Sequence, residues 1–261
     1  MEGGHTFINA MKSNKVINNA KWIVICRVIQ SMLQLLIGMI TARYLGPANY
    51  GLINYASSVV TFVLPLMQLG LQATLVHELI ESPEREGEIL GTSLLMELIS
   101  SGACIILVAS FVSVANRGEQ QTILVTILYS TSLFFHALEL MQCWFQRKLQ
   151  SKYASIVMVC AYIIVSAYRV ILLITEQAIY WFALVASLDY AIIGISLLVI
   201  YNKLGGQKLT ASVQTAKKLF NRSKYYVLSA MMVTMFQNTD HIMLKMMVGD
   251  AENGFYSAAI T

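Results

Sequence analysis

LGPANYGLINYA, at residues 45–56, is followed 203 positions later by VGDAENGFYSAA, at residues 248–259. Both stretches have the form apolar-Gly-x4-Gly-apolar-x3-Ala, and we call each of them a glycine phrase. Most of the sequence between the two phrases is apolar. A repeat of this size is typical of membrane transporters that are built from two similar halves. The sequence therefore predicts one half of such a protein, followed by the start of the second half.

The composition places the chain in the membrane. Hydrophobic residues make up 57% of the sequence and charged residues only 12%, and the mean hydropathy is +0.63. Soluble domains carry about 25% charged residues, whereas a helix that crosses a bilayer needs about 20 consecutive apolar residues. Seven segments meet that requirement: 22–44, 52–76, 89–114, 122–145, 154–175, 178–201 and 226–248. An eighth begins at Gly254.

These segments predict an all-α, polytopic transmembrane bundle with one six-helix lobe and the start of a second, parallel-repeat lobe. The predicted units are a six-span lobe at 1–201, a basic cytoplasmic connector at 202–225, and the truncated second lobe at 226–261. The connector carries six Lys and Arg residues and no acidic residue. Two interpretations stay open for it: a solvated linker, or a stretch around 213–220 that lies flat on an anionic membrane surface.

The distribution of Lys and Arg predicts the orientation. Thirteen of the eighteen basic residues lie in the N-terminal tail and in every second loop, while the alternate loops hold only Arg43 and Arg117. Basic loops stay on the cytoplasmic side of the membrane. We therefore expect a cytoplasmic N-terminus and both glycine phrases on the outer side. Six spans separate the phrases, so the two halves would have the same orientation.

Polar side chains recur along one face of each of the first two spans. The first span carries Arg27, Gln30 and Gln34 at helical spacing, and the second carries a similar stripe that includes Gln68 and ends at Gln72. Such side chains do not face lipid, so they serve either helix packing or a hydrated cavity. Arg27 either extends to the membrane surface, pairs with Glu97 or Glu139, or attracts an anionic head group such as phosphate.

The seventh predicted span adds Asp240 and His241 as candidate cavity residues. The four cysteines, Cys26, Cys104, Cys143 and Cys160, have no Cys-x-x-Cys spacing, so they predict neither disulfides nor a zinc site. We expect no metal, no cofactor and no catalytic residue. The candidate substrate-binding residues are Arg27, Gln30, Gln34, Gln68 and Asp240.

Several short motifs together resemble one protein family. ARYLGP at 42–47 with Tyr50-Gly51, WFQ at 144–146 with KYA at 152–154, and GFYS at 254–257 are similar to bacterial polysaccharide-export flippases. These belong to the multidrug/oligosaccharidyl-lipid/polysaccharide superfamily, and the resemblance covers the whole chain.

The resemblance implies two lobes around a central cavity that moves undecaprenyl-pyrophosphate-linked oligosaccharides outward by alternating access. It implies that Arg27 binds the pyrophosphate and that the inner surface of the second lobe begins at Asp240. The implied location is the bacterial inner membrane. The implied partners are the lipid-linked oligosaccharide, membrane lipids, and the polymerase and glycosyltransferases of the same pathway, with no nucleic acid.

Three alternatives remain at this point. A cation-coupled multidrug extruder of the same superfamily would want an acidic residue in the first span, where this chain has Arg27. An integral-membrane transferase would need clustered acids or a catalytic histidine near a membrane face, and no paired motif of that kind is present. The third alternative is a truncated, nonfunctional fragment, because the second lobe is expected to be longer.

Overall fold

The computed structural model describes the backbone of residues 2–260 and the side chains of residues 21–259, and every regular element in that part is helical. Two short 3-10 helices, Pro83–Arg85 and Ala137–Met141, connect longer elements. The α-helices are α1 (Glu2–Met67), α2 (Leu71–Glu81), α3 (Glu86–Ala115), α4 (Gln120–Ser130), α5 (Ser132–His136), α6 (Gln142–Arg147), α7 (Ser151–Ile174), α8 (Ile179–Lys203), α9 (Val213–Met247) and α10 (Asp250–Ile260).

Helix α1 is a hairpin of two limbs that meet at Gly46. Gly46 has φ 72° and ψ 168°, a region that essentially only glycine occupies, and Pro47 starts the second limb without needing a backbone N–H. Arg27 and Gln68 line the same cavity. A straight helix would separate these two residues by about 60 Å, at 1.5 Å per residue. The chain therefore reverses at Gly46, and the limbs are residues 2–45 and 47–67.

Five helical segments among the described residues are long and apolar enough to cross a membrane: Lys21–Glu81, Pro83–Ala115, Gln120–Arg147, Ser151–Ile174 and Ile179–Lys203. The first has 61 residues and includes the apolar parts of both limbs of α1, so the described residues contain six apolar passes. The predicted all-α polytopic bundle is confirmed. The predicted seventh span is not among these segments, because α9 carries a polar run around Gln237–His241.

Two predicted spans are interrupted. The second, expected at 52–76, breaks after Met67, where Leu69 (φ 51°) and Gly70 (φ 67°) turn the chain before α2 begins. A side chain at position 70 would also collide with the backbone of α9 at Ser223. The fourth, expected at 122–145, consists of α4, α5, a 3-10 helix and α6. The predicted eighth helix begins at Asp250 rather than Gly254, directly after the Gly249 corner (φ 119°).

The two glycine phrases pack against each other. A Cβ atom on Gly51 would overlap the carbonyl oxygen of Asp250, and a Cβ on Gly254 would overlap that of Pro47. These two contacts are equivalent, because a shift of 203 positions converts Pro47 into Asp250 and Gly51 into Gly254. Such reciprocity is what a two-fold axis between similar elements produces. We call this end of the bundle the glycine end; it includes residues 45–56, 116–119 and 248–259.

The opposite end holds the basic loops, and we call it the basic end; it includes residues 78–88, 147–152 and 203–225. The connector is held against the lobe there: Thr210 N–H donates to the Gly87 carbonyl at 3.2 Å, and Ser212 N–H donates to Thr92 Oγ1 at 3.0 Å. Glu78, 2% exposed, binds Lys218 at 2.9 Å and also Arg222. Two of the six basic residues of the connector, Lys218 and Arg222, are therefore paired with the lobe.

Candidate functional site

A cavity of about 530 Å³ opens inside the bundle toward the basic end. Its walls come from the first limb of α1, the break at residues 68–72, and helices α5 to α8. Its volume lies within the range of about 300–1,000 Å³ that is usual for small-molecule sites. The break after Met67 matters here, because it brings Gln68 and Gln72 opposite the first limb.

Arg27 lines the cavity without a protein partner. It lies six residues, about 9 Å of helix, beyond Lys21 at the basic end. No hydrogen bond or ion pair joins it to another side chain among residues 21–259. Of the two acids considered as partners, Glu97 is fully buried in α3, whereas Glu139 lines the same cavity as Arg27 but is bound by Gln142 Nε2 at 2.5 Å and by His136 at 3.3 Å. The guanidinium is thus available to a ligand in the cavity.

Side-chain amides dominate the polar part of the lining. Each amide offers both hydrogen-bond donors and an acceptor, which suits ligands with many hydroxyl groups. The serine hydroxyls of Ser151 and Ser155 and the phenol of Tyr190 add further polar contacts. Five glutamines belong to this set: Gln30, Gln68, Gln72, Gln142 and Gln146.

The wall formed by α5, the following 3-10 helix and α8 is acidic. His136 Nε2 lies 3.3 Å from Glu139 Oε2, and Asp189 lines the cavity from α8. Asp189 Oδ1 and His136 Nδ1 are both buried without a hydrogen-bond partner in the described part of the chain. A buried polar atom without a partner is costly unless a ligand or water satisfies it.

The structure thus brings Arg27, Gln30 and Gln68 together, but not Gln34 and Asp240. Gln34 is exposed on the first limb, outside the lining. Asp240 accepts hydrogen bonds from the Tyr256 hydroxyl and from the backbone N–H of His241, so it connects α9 to α10. His241 likewise contacts Asn253 at 3.0 Å.

Sequence reasoning did not select most of the other polar lining residues. Gln72 continued the polar stripe of the second span, and Glu139 and Asp189 were acids inside apolar segments, so a signal existed for these three. Gln142 and Gln146 gave no signal, because their position depends on the division of the fourth span into short helices.

A second polar cluster lies at the glycine end. Lys245, with 5% of its side chain exposed, binds Glu119 at 2.8 Å and Asp250 at 2.5 Å. The hydrogen bond from Lys245 lowers the pKa of Glu119, so this carboxylate is charged at neutral pH. Tyr55 donates to Asn116 Oδ1 at 2.9 Å beside it. The cavity and this cluster therefore lie at opposite ends of the bundle.

Fold and cavity together define a multi-pass α-helical membrane protein with a polar interior site. The family model for polysaccharide biosynthesis proteins matches residues 16–261, and the chain belongs to that family. Comparisons with curated proteins and with solved structures give no match. The family resemblance stated from the motifs is confirmed, and it assigns the chain to polysaccharide biosynthesis and export.

Proposed function

We propose that this protein moves undecaprenyl-pyrophosphate-linked oligosaccharide units from the inner to the outer leaflet of the bacterial inner membrane. The proposal rests mainly on Arg27, which has no hydrogen-bond or ion-pair partner among residues 21–259 and lines an amide-rich cavity of an apolar bundle. On this proposal the basic end faces the cytoplasm.

Arg27 suits the diphosphate of such a carrier. An arginine cannot lose its charge under physiological conditions, and its planar group donates paired hydrogen bonds to phosphate oxygens. A charge within an apolar span is costly unless it faces water, a protein partner or a ligand, so such a residue on a cavity wall is typical of a functional site. The diphosphate joins lipid to sugar, and Arg27 lies correspondingly between the membrane surface and the glutamine-lined interior.

The glutamines suit the sugar part of the substrate. Sugar hydroxyls both donate and accept hydrogen bonds, and five amides with two serines match them without imposing a charge. A cation-coupled multidrug extruder is less well supported, because the first span carries Arg27 and no acidic residue that could bind a coupling cation.

Replacing Arg27 tests the proposal. In the full-length protein, expressed in a strain that lacks its own gene, Arg27→Ala should reduce polymer export by about tenfold or more, since a lost charged hydrogen bond of about 1.5–3 kcal/mol corresponds to such a factor. Arg27→Lys should retain part of the export. Surface polymer is measured against the amount of protein in the membrane.

Arg43→Ala is the matched control, because Arg43 is an exposed arginine on the same limb outside the cavity lining. This variant should export normally. Normal export by Arg27→Ala would contradict the proposed phosphate site.

A further inference from the structure

We propose that Asp189, assisted by Glu139, makes the cavity select oligosaccharides whose sugars at this wall are neutral or carry an amino group, and reject uronic acids there. This inference rests on the proposed function and adds a substrate class to it. Asp189 and Glu139 would act as specificity-determining residues for the glycan, whereas Arg27 binds the diphosphate whatever the sugar.

Asp189 has a hydrogen-bond acceptor that no described residue uses. It lies near the middle of α8 and lines the cavity, and its Oδ1 atom is buried with no hydrogen-bond partner among the described residues. A buried carboxylate oxygen is stabilised by a donor such as a hydroxyl or an ammonium group. The carboxylate of a uronic acid offers no donor.

A second observation on the same wall points to a ligand. His136 has 9% of its side chain exposed, and its Nδ1 atom is also without a partner in the described part of the chain. Its other ring nitrogen is occupied by Glu139, whose remaining oxygen is occupied by Gln142. Two unsatisfied polar atoms on neighbouring elements therefore line one cavity, and a hydroxylated or amino sugar can satisfy them.

The charge on this wall is not neutralised by the lining. Arg27 is the one Lys or Arg in the described lining, and the proposed diphosphate occupies it. Arg169 of α7 acts on Asp189 through space, but it is outside the lining and no ion pair joins the two within the described residues. A uronic acid would therefore meet like charge, which is how binding sites commonly reject a competing ligand.

Binding of three soluble probes tests the inference. They share a short prenyl diphosphate and carry no sugar, a neutral N-acetylglucosamine–galactose disaccharide, or an N-acetylglucosamine–glucuronic acid disaccharide. The purified full-length protein should bind the neutral probe about tenfold tighter than the acidic probe, a difference of about 1.4 kcal/mol. Asp189→Asn should reduce this preference to less than about threefold by improving binding of the acidic probe, and adding Glu139→Gln should reduce it further.

Glu252→Gln is the matched control, since it removes one negative charge from an exposed position outside the lining and should leave the preference unchanged. Equal binding of both disaccharide probes, or an unchanged preference in Asp189→Asn, overturns the inference. If the sugar-free probe still binds and requires Arg27, the proposed function survives that result. If no probe binds, the proposed function and the inference fail together.

Discussion

Single glycines set the position of the two turns at the glycine end, one in each glycine phrase. Gly46 is required for its backbone angles, and space around it is open, whereas Gly51 is required for the absence of a side chain. Gly249 and Gly254 repeat this division of roles in the second phrase, with φ 119° at the first and the Pro47 carbonyl against the second. The same pattern of two glycines therefore combines a turn with a contact surface.

Gly51→Ala should destabilise the protein. The added methyl group would overlap the Asp250 carbonyl, and overpacking of this kind costs about 1–3 kcal/mol. We expect a lower melting temperature for the detergent-solubilised protein, measured by tryptophan fluorescence. Gly102→Ala is the control, because an added Cβ in that part of α3 meets no atom within 4 Å and alanine favours helix. Equal melting temperatures for the two variants would show that the glycine phrases do not touch.

At the scale of elements, the connector is a structural part of the basic end. Its extended stretch lies on α3 at Gly87 and Gly91, where side chains would collide with Lys208 and Thr210. The following turns of α9 then contact α2 through Glu78. Any movement of α9 relative to the lobe has to break these hydrogen bonds and ion pairs together.

Glu78→Gln should loosen the start of α9. Glu78 is almost fully buried between Lys218 and Arg222, and losing charged hydrogen bonds of this kind costs about 1.5–3 kcal/mol. Hydrogen exchange of the peptide containing residues 213–223 should become faster. Glu81→Gln removes the same charge from a half-exposed partner of Arg222, where solvent screens the ion pair, so its effect on exchange should be clearly smaller. Similar exchange rates in both variants would rule out a special role for burial.

At the scale of the whole molecule, the two ends differ in chemistry. The basic end carries the docked connector and the cavity, while the glycine end carries the paired phrases and the Lys245 cluster. The positive-inside rule then assigns the basic end to the cytoplasm. That assignment is a prediction from the distribution of Lys and Arg, whereas the fold determines which loops share an end.

Reporter fusions decide the orientation. A phosphatase that is active only outside the cytoplasm should be inactive when fused after residue 210 and active after residue 117. A fluorescent protein that folds only in the cytoplasm should give the reverse pattern and serves as the control. Phosphatase activity after residue 210 would contradict the proposed topology.

Much of the bundle could be predicted from the sequence because lipid imposes a local rule: each crossing needs an uninterrupted apolar segment. The exceptions follow from local detail that hydropathy averages away. Apolar side chains hide the break after Met67, since a turn built on Leu69 and Gly70 is nearly as apolar as the helices beside it. The apolar character of α9 was overestimated from the sequence, because the methionines on either side of Gln237–His241 raised the average hydropathy of the segment.

The sequence by itself determined the helical class, the first six of the seven predicted apolar spans, the family and the existence of two matching glycine phrases. These depend on composition and spacing along the chain. Tertiary structure alone decided that the two phrases touch, that Asp240 serves an α9–α10 contact, and that Gln142, Gln146 and Asp189 share a cavity with Arg27. The physical reason is that such contacts join residues far apart in sequence, and their geometry depends on how all the helices pack at once.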